Sequence, residues 1–259
     1  MAGGGGAALP LVVRSTRSGR SGGDEGGGLA LDPSTASAVR TLGRTPLSIV
    51  SVLGALPSAE ILERVFGAAF PAEPHGLYLW VERASLREGS GTVVLQAPDL
   101  TCLAQGGVYE CFSVAGALAS TLLWFAGPPS DQTIEELAML IAPGTRERVS
   151  SGRDAAAPAS AASLVWVWVG SDESQETASS ELLEEALNSA PLGALLRSLL
   201  PVRSCMVLPQ LPGATWNGAH DPAARALRQL LLSPANAPKR LGSANMDGCL
   251  LYTSPSPRD

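Results

Sequence analysis

The 259-residue chain has few of the residues that several common functions require. It holds one lysine, Lys239, and two histidines, and its four cysteines form no CxxC pair. A zinc site of ordinary ligand spacing is therefore not expected, and the spacing fits free thiols in a reducing compartment. The net charge is −6 and the basic residues form no cluster, so nothing suggests a nucleic-acid-binding surface.

Long uncharged runs are also scarce. One run of about twenty residues, the length of a membrane span, lies between Glu110 and Asp131. It contains Ser, Gly, Thr and a Pro-Pro pair, and we predict a core helix that leads into a buried strand. A membrane span is the alternative. The amino terminus lacks the charged region of a signal peptide, and we expect a cytoplasmic protein, with association at the membrane periphery left open.

Apolar residues make up 45% of the chain, enough for a sizeable core. Strand-like segments alternate with helix-like ones, which predicts an α/β fold with a central, mainly parallel sheet flanked by helices. Residues 14–38 are rich in Gly, Ser and Arg and predict a flexible loop, as do residues 143–162. Strands are predicted at 46–53, 77–81, 91–95, 121–126, 164–169 and 205–208, and helices at 59–70, 109–119, 130–141, 179–188, 192–200 and 222–232.

The last eleven residues, CLLYTSPSPRD, differ in character from the rest. They resemble the translated read-through of a sequencing adapter that ends many transcriptome-derived reading frames. We therefore expect residues 1–248 to form one domain and residues 249–259 to be an artefact. The natural protein would then continue into a helical carboxyl-terminal region that is missing here.

Seven segments, taken in order, together match one known family. They are residues 29–54, HGLYLW (75–80), TVVLQAPD (92–99), residues 112–132, LVWVWVGS (164–171), EEAL with RSLLPVRSCMVLP (184–187 and 197–209) and KRLGSANMDG (239–248). These segments resemble the large G domain of guanylate-binding proteins and atlastins, in the dynamin superfamily, from about residue 7 to residue 248, with residues 29–54 as the lead into the phosphate loop. The resemblance implies a P-loop-NTPase-like fold, GTP binding and hydrolysis with Mg²⁺, and pairing of two G domains into a homodimer or heterodimer.

The phosphate loop carried over from this family has lost its chemistry. A P-loop needs glycines that let backbone N–H groups approach phosphate, a lysine for the β- and γ-phosphates, and a hydroxyl for Mg²⁺. Here Ala59 stands for the second glycine, Glu60 for the lysine and Ile61 for the hydroxyl. Pro57 takes the place of the catalytic arginine and removes an N–H group. The carried-over positions are Gly54, Ala55, Leu56, Pro57, Ser58, Ala59, Glu60 and Ile61.

The other motifs agree with this reading of the loop. Pro74 falls where the family has the magnesium-binding threonine of switch I, and Gln96 replaces the aspartate that holds the metal's water shell. Val169 and Gly170 stand in place of the Arg-Asp pair that recognises guanine. We therefore expect no catalytic residue and no metal ligand, and no cofactor unless the family activity, with GTP and Mg²⁺, is retained.

Four functions stay open at this point. The chain is an interaction module built on a pseudo-GTPase G domain, or a divergent GTPase that still holds GTP through backbone N–H groups. A third alternative is a membrane-remodelling fragment that reaches membranes through the missing carboxyl-terminal region. The fourth is a reading frame without a selected function. The first is our prediction, because the apolar framework persists while four motifs have changed.

Overall fold

The computed structural model describes residues 9–14, 29–31, 33–54, 58–71, 76–82, 90–98, 100, 108–150, 162–170, 179–209, 222–232, 238–241 and 244–253. The elements in chain order are β1 (Leu9–Arg14), β2 (Leu29–Leu31), α1 (Pro33–Arg40), β3 (Leu47–Gly54), α2 (Ser58–Phe66), β4 (Leu77–Glu82), β5 (Gly91–Gln96), α3 (Val108–Leu118), β6 (Thr121–Phe125), α4 (Asp131–Ser150), β7 (Ser163–Gly170), α5 (Ser179–Ser189), α6 (Gly193–Leu199), β8 (Val202–Pro209), α7 (Pro222–Leu231), β9 (Arg240–Leu241), β10 (Ala244–Asn245) and α8 (Gly248–Thr253).

One eight-stranded sheet organises the molecule, in the order β2-β1-β4-β5-β3-β6-β7-β8. The neighbouring strands β5, β3, β6, β7 and β8 are parallel to one another. The strands β2, β1 and β4 extend the sheet through antiparallel pairs. The predicted α/β fold, with a central and mainly parallel sheet flanked by helices, is confirmed.

Helices cover both faces of the sheet. The central strands are therefore buried on both sides, which is why their sequences are mostly apolar. All eight residues of β3 are buried, and its side chains alternate between the two faces. Leu47, Ile49 and Leu53 belong to a first core cluster, which also contains residues of α1, α3, α4, α5, α6 and α8. Val50 and Val52 belong to a second core cluster, which α2 and α7 complete.

Three predicted boundaries are wrong. The helix expected over residues 59–70 ends at Phe66, because Gly67 adopts a left-handed conformation (φ 69°). The loop expected at residues 14–38 contains β2 and α1, while residues 15–28 lie outside the described part. Helix α1 is held by tertiary contacts: Thr35 Oγ1 donates a hydrogen bond to Pro10 O (2.6 Å), and the Val39 side chain is buried. Its small residues alone do not predict a helix.

Helix α4 is also longer than predicted. It continues through Pro143 to Ser150, into the segment expected to be a loop. A proline inside a helix removes one hydrogen bond from the ladder. The segment after it contains Arg, Glu and Arg, which are good helix formers and sustain the helix. Residues 151–161 lie outside the described part of the chain.

The amino terminus of α4 is capped by the residue that precedes it. Ser130 precedes the helix, and its Oγ accepts a hydrogen bond from Thr133 N (3.3 Å). In return Thr133 Oγ1 accepts one from Ser130 N (3.0 Å). This reciprocal pair satisfies two backbone donors at the helix start, as a capping box does.

The uncharged run between Glu110 and Asp131 forms α3 and the fully buried strand β6, as predicted. No helix among the described residues is long and apolar enough to cross a membrane. At the other end of the chain, Leu251 in α8 is buried in the first core cluster. The suggestion that residues 249–259 are an artefact, and with it the domain boundary at residue 248, stays a prediction.

Candidate functional site

The carboxyl ends of the parallel strands meet at one edge of the sheet, where ligands bind in open α/β folds. Gly54, Gln96 and Gly170 are the last residues of β3, β5 and β7. Strand β3 lies between β5 and β6. The strands that follow it in the chain, β4 and β5, lie on one side of β3, and the later strands β6, β7 and β8 lie on the other. The edge at the end of β3 is therefore the natural candidate site, and it gathers the positions that the resemblance singled out.

Gly54 is required by the sheet itself. Its φ of 138° is a conformation that L side chains rarely adopt, and a Cβ added there would lie 1.9 Å from Phe125 O. Phe125 is its paired residue on β6. The glycine is thus explained by the close approach of two backbones, and a phosphate is not needed to account for it.

At the start of α2 the apolar side chains face the core and the acidic side chain faces solvent. Ala59 and Ile61 are buried in the second core cluster. Glu60 is exposed in the first helical turn. Of the remaining loop positions, Ser58 opens α2, whereas Ala55, Leu56 and Pro57 lie outside the described residues, as does Pro74 of the switch I position.

Gln96 is fully buried at the end of β5. Its Nε2 donates a hydrogen bond to Pro71 O at 3.2 Å. Pro71 belongs to the stretch of chain that follows α2. The amide therefore links the edge of the sheet to that stretch, at the position where the family resemblance places a carboxylate.

The last described residues of β7, Val169 and Gly170, carry no charged side chain, and residues 171–178 lie outside the described part of the chain. Val169 is half-buried and packs against the second core cluster. A Cβ on Gly170 would lie 3.0 Å from Val207 Cγ1, so the glycine lets β7 and β8 approach closely. Trp166 and Trp168 are buried in the first core cluster, and Trp166 Nε1 donates a hydrogen bond to Gly127 O (3.1 Å).

Lys239, the one lysine of the chain, lies at the opposite edge of the sheet. It is fully buried, its Nζ donates to Ala119 O (2.6 Å), and its backbone N–H donates to Leu47 O (2.9 Å). Leu47 begins β3 and Gly54 ends it, a span of about 23 Å at 3.3 Å per residue. Lys239 therefore cannot reach a phosphate at the end of β3.

The resemblance assigns the magnesium-binding hydroxyl to position 61 and the phosphate-binding lysine to position 60. The residues there are Ile61, whose hydrocarbon side chain is buried, and Glu60, an exposed carboxylate at the start of α2, and these two side chains do not fit a magnesium nucleotide. Within the described ranges, no group of three or more His, Cys, Asp or Glu residues is placed to hold a metal ion.

Three long-range contacts near the sheet edges have no signal in the sequence. Arg228 of α7 forms a salt bridge with Glu82 at the end of β4 (2.8 Å) and donates to Val65 O of α2 (3.0 Å). The other two are the contacts of Gln96 and Lys239. The partners are separated by 146, 25 and 120 positions, respectively, so no local pattern could have revealed them.

Comparison with known proteins adds little beyond the fold. No family model and no curated protein matches the chain. Among solved structures it is similar to one described as "Dimerization is important for the GTPase activity of chloroplast translocon components atToc33 and psToc159", with 11% identity over 83% of this chain and 94% of that chain and a TM-score of 0.45. At this similarity, the fold class stands on the strand order of the chain itself.

Proposed function

We propose that the chain is a G-domain-like interaction module, of the guanylate-binding-protein and atlastin type, that does not hydrolyse GTP. The observation that carries this proposal is the position of Lys239. The one lysine of the chain is buried at the amino edge of the sheet, about 23 Å from the edge where a phosphate loop would bind nucleotide.

The charge at the start of α2 supports the same conclusion. Replacing the phosphate-binding lysine by Glu60 changes the local charge by two units and turns an attraction into a repulsion. Two unit charges about 4 Å apart interact with an energy of roughly 1 kcal/mol in water and roughly 4 kcal/mol near a protein surface. Glu60 is exposed, so water and salt reduce this effect, but its sign still opposes phosphate binding.

The loss of the metal position adds a second, independent argument. Mg²⁺ binds oxygen ligands in near-octahedral geometry. At the Ile61 position the side chain is hydrocarbon and packs in the second core cluster, so it stabilises the fold at the place where a hydroxyl would bind the metal. The Ile61 side chain therefore contributes to packing and offers no oxygen ligand to a metal.

The test is a titration of the purified chain with a fluorescent GTP analogue, with and without Mg²⁺. We expect no saturable signal from a protein whose circular dichroism shows that it is folded. Saturable, Mg²⁺-dependent binding in the micromolar range would overturn the proposal and favour the divergent GTPase.

A restored variant provides the matched positive control. Ala59→Gly, Glu60→Lys and Ile61→Thr together return the glycine, the cation and the hydroxyl to the start of α2. If the scaffold is a G domain, this triple variant gains Mg²⁺-dependent binding that the parent lacks, and Glu63→Lys, an exposed position of the same helix, gains none. Binding by the triple variant and not by Glu63→Lys would support the G-domain part of the proposal. Binding by both variants would contradict it, because the gain would then follow from added positive charge alone.

The partner implied by the resemblance is a second G domain, in a cytoplasmic homodimer or heterodimer. Sedimentation of the purified chain over a range of concentrations tests the homodimer directly. A single monomeric species at all concentrations, with or without GTP and Mg²⁺, would leave the heterodimer as the form to seek.

A further inference from the structure

The stretch of chain after α2 is held against the sheet on two sides. Gly67 ends the helix with a φ of 69°, and its N–H donates the last helical hydrogen bond, to Glu63 O (2.7 Å). Ala68 and Phe70 are then buried in the second core cluster. The ring of Phe70 lies 6.4 Å from that of Trp80 on β4 and 6.5 Å from that of Phe66.

A side-chain hydrogen bond also restrains this stretch. Gln96 Nε2 donates to Pro71 O at 3.2 Å, and the Gln96 side chain is fully buried. Gln96 pairs with Tyr78 on β4, so the hydrogen bond and the Trp80 ring act from neighbouring positions of the same two strands. A hydrogen bond is directional, so this one restrains the orientation of the Pro71 carbonyl group. The apolar contacts of Phe70 are non-directional and restrain only its burial.

The amide group of Gln96 is what permits this contact. A primary amide has two N–H donors, while an ionised carboxylate is an acceptor only. An aspartate or glutamate at position 96 would place negative charge against the Pro71 carbonyl oxygen. The residue that replaces a metal-associated carboxylate thus binds the chain's own backbone.

We propose that Gln96 is a positioning residue that clamps residues 67–71 to the sheet edge in one conformation, with no nucleotide required. In GTPases the switch segments are ordered by contacts with the γ-phosphate and Mg²⁺ and are released on hydrolysis. Here a protein hydrogen bond supplies the order permanently. This inference rests on the proposed function, because a clamp of this kind is useful where nucleotide does not control the segment.

Hydrogen–deuterium exchange of the full chain tests the clamp. The amides of residues 67–70 should be protected in the parent protein, to the same extent with and without a GTP analogue and Mg²⁺. Gln96→Glu should raise their exchange rate about tenfold, as expected for loss of a buried hydrogen bond. Gln229→Glu, an exposed glutamine on α7, is the matched control and should change nothing.

A second variant keeps the test decisive if Gln96→Glu unfolds. Gln96→Met retains the length and the burial but has no N–H donor, so it should raise exchange at residues 67–70 while exchange in β3 stays slow. Unchanged exchange in Gln96→Met would overturn the clamp, as would fast exchange of these amides in the parent.

The two proposals fail in different ways. If the parent binds the GTP analogue but residues 67–70 keep the same protection, the pseudo-GTPase proposal fails and the clamp stands. If the parent binds no nucleotide and the Gln96 variants exchange like the parent, the clamp alone fails. If nucleotide binds and changes the protection, both fail.

Discussion

At the scale of single residues, Gly54 shows how a position can match a phosphate-loop glycine for a structural reason. Its φ of 138° and the overlap of an added Cβ with Phe125 O both forbid a side chain. The same residue would be kept in a protein that binds no phosphate. A glycine after a buried strand is therefore weak support for nucleotide binding unless its backbone environment is known.

We expect Gly54→Ala to lower the free energy of unfolding by about 3 kcal/mol or more, because backbone strain and overpacking add. Chemical denaturation without nucleotide measures the change. Gly127→Ala is the control, since a Cβ there meets nothing within 4 Å. Equal stability of the two variants would contradict the backbone account of Gly54.

The cysteines provide a second prediction at this scale. Burial raises the pKa of Cys111 to about 11, with the neighbouring charge of Glu110 as a smaller cause. Burial also raises the pKa of Cys205 to about 12, although its side chain is only half-buried. Cys102 lies outside the described residues.

The thiolate is the reactive form of cysteine, so a raised pKa slows alkylation at neutral pH. At pH 8 we expect iodoacetamide to modify exposed Cys249 of the native protein, while Cys111 and Cys205 react only as the pH approaches 11–12 or after unfolding. Peptide mass spectrometry of the adducts measures this order. Rapid native alkylation of Cys111 would contradict its burial.

At the scale of elements, the sequence predicts those whose own residues determine them. Strands β3, β6 and β7 are mostly apolar, and α4 begins at a Ser-Asp pair of a kind that typically precedes a helix. Helix α1 could not be predicted, since its small residues match a loop until Val39 packs in the core. Its stability comes from tertiary contacts, which override weak local propensity.

The salt bridge of Arg228 with Glu82 joins three elements, because the same guanidinium also donates to Val65 O. We expect Arg228→Met to lower the free energy of unfolding by about 2 kcal/mol. This is less than the value for a fully buried pair, because Arg228 is 37% exposed.

Urea denaturation of Arg228→Met against Arg225→Met, an exposed arginine on the same helix, measures this effect. A double-mutant cycle with Glu82→Gln separates the ion pair from the contact with Val65. A coupling energy near zero would show that the pair is incidental to how α7 is held.

At the scale of the whole molecule, residues 238–241 and 244–253 pack at the end of the sheet where β3 begins. Leu47 N donates to Met246 O (2.8 Å), and Lys239 N donates to Leu47 O (2.9 Å). Leu251 of α8 adds a buried side chain against the core. These contacts join the two ends of a long chain, and only the folded sheet brings them together.

We expect truncation after residue 248 to lower the free energy of unfolding by about 2–3 kcal/mol, the contribution of one buried leucine. Truncation after residue 253 should have no effect. Thermal unfolding of the two truncated proteins and the full chain measures the difference. Equal stability of all three would support the view that residues 249–259 are foreign to the fold.

The candidate site could be predicted from the sequence only as a set of positions. The order of segments placed Gly54, Gln96 and Gly170 at the ends of strands, and the parallel sheet brings those ends to one edge. What each residue does there depends on partners that are distant in the chain. The contact of Gln96 with Pro71 is therefore a result of the structure, not of the motif.

Because Lys239 is buried, reagents and enzymes that modify lysine side chains cannot reach it in the folded chain. With its single ε-amine inside the protein, the native chain presents no lysine side chain for acetylation, ubiquitin conjugation, amine-reactive dyes or tryptic cleavage. Such reactions at Lys239 must wait until the amino edge of the sheet opens. Modification of this one residue is therefore a direct count of the molecules that have unfolded there.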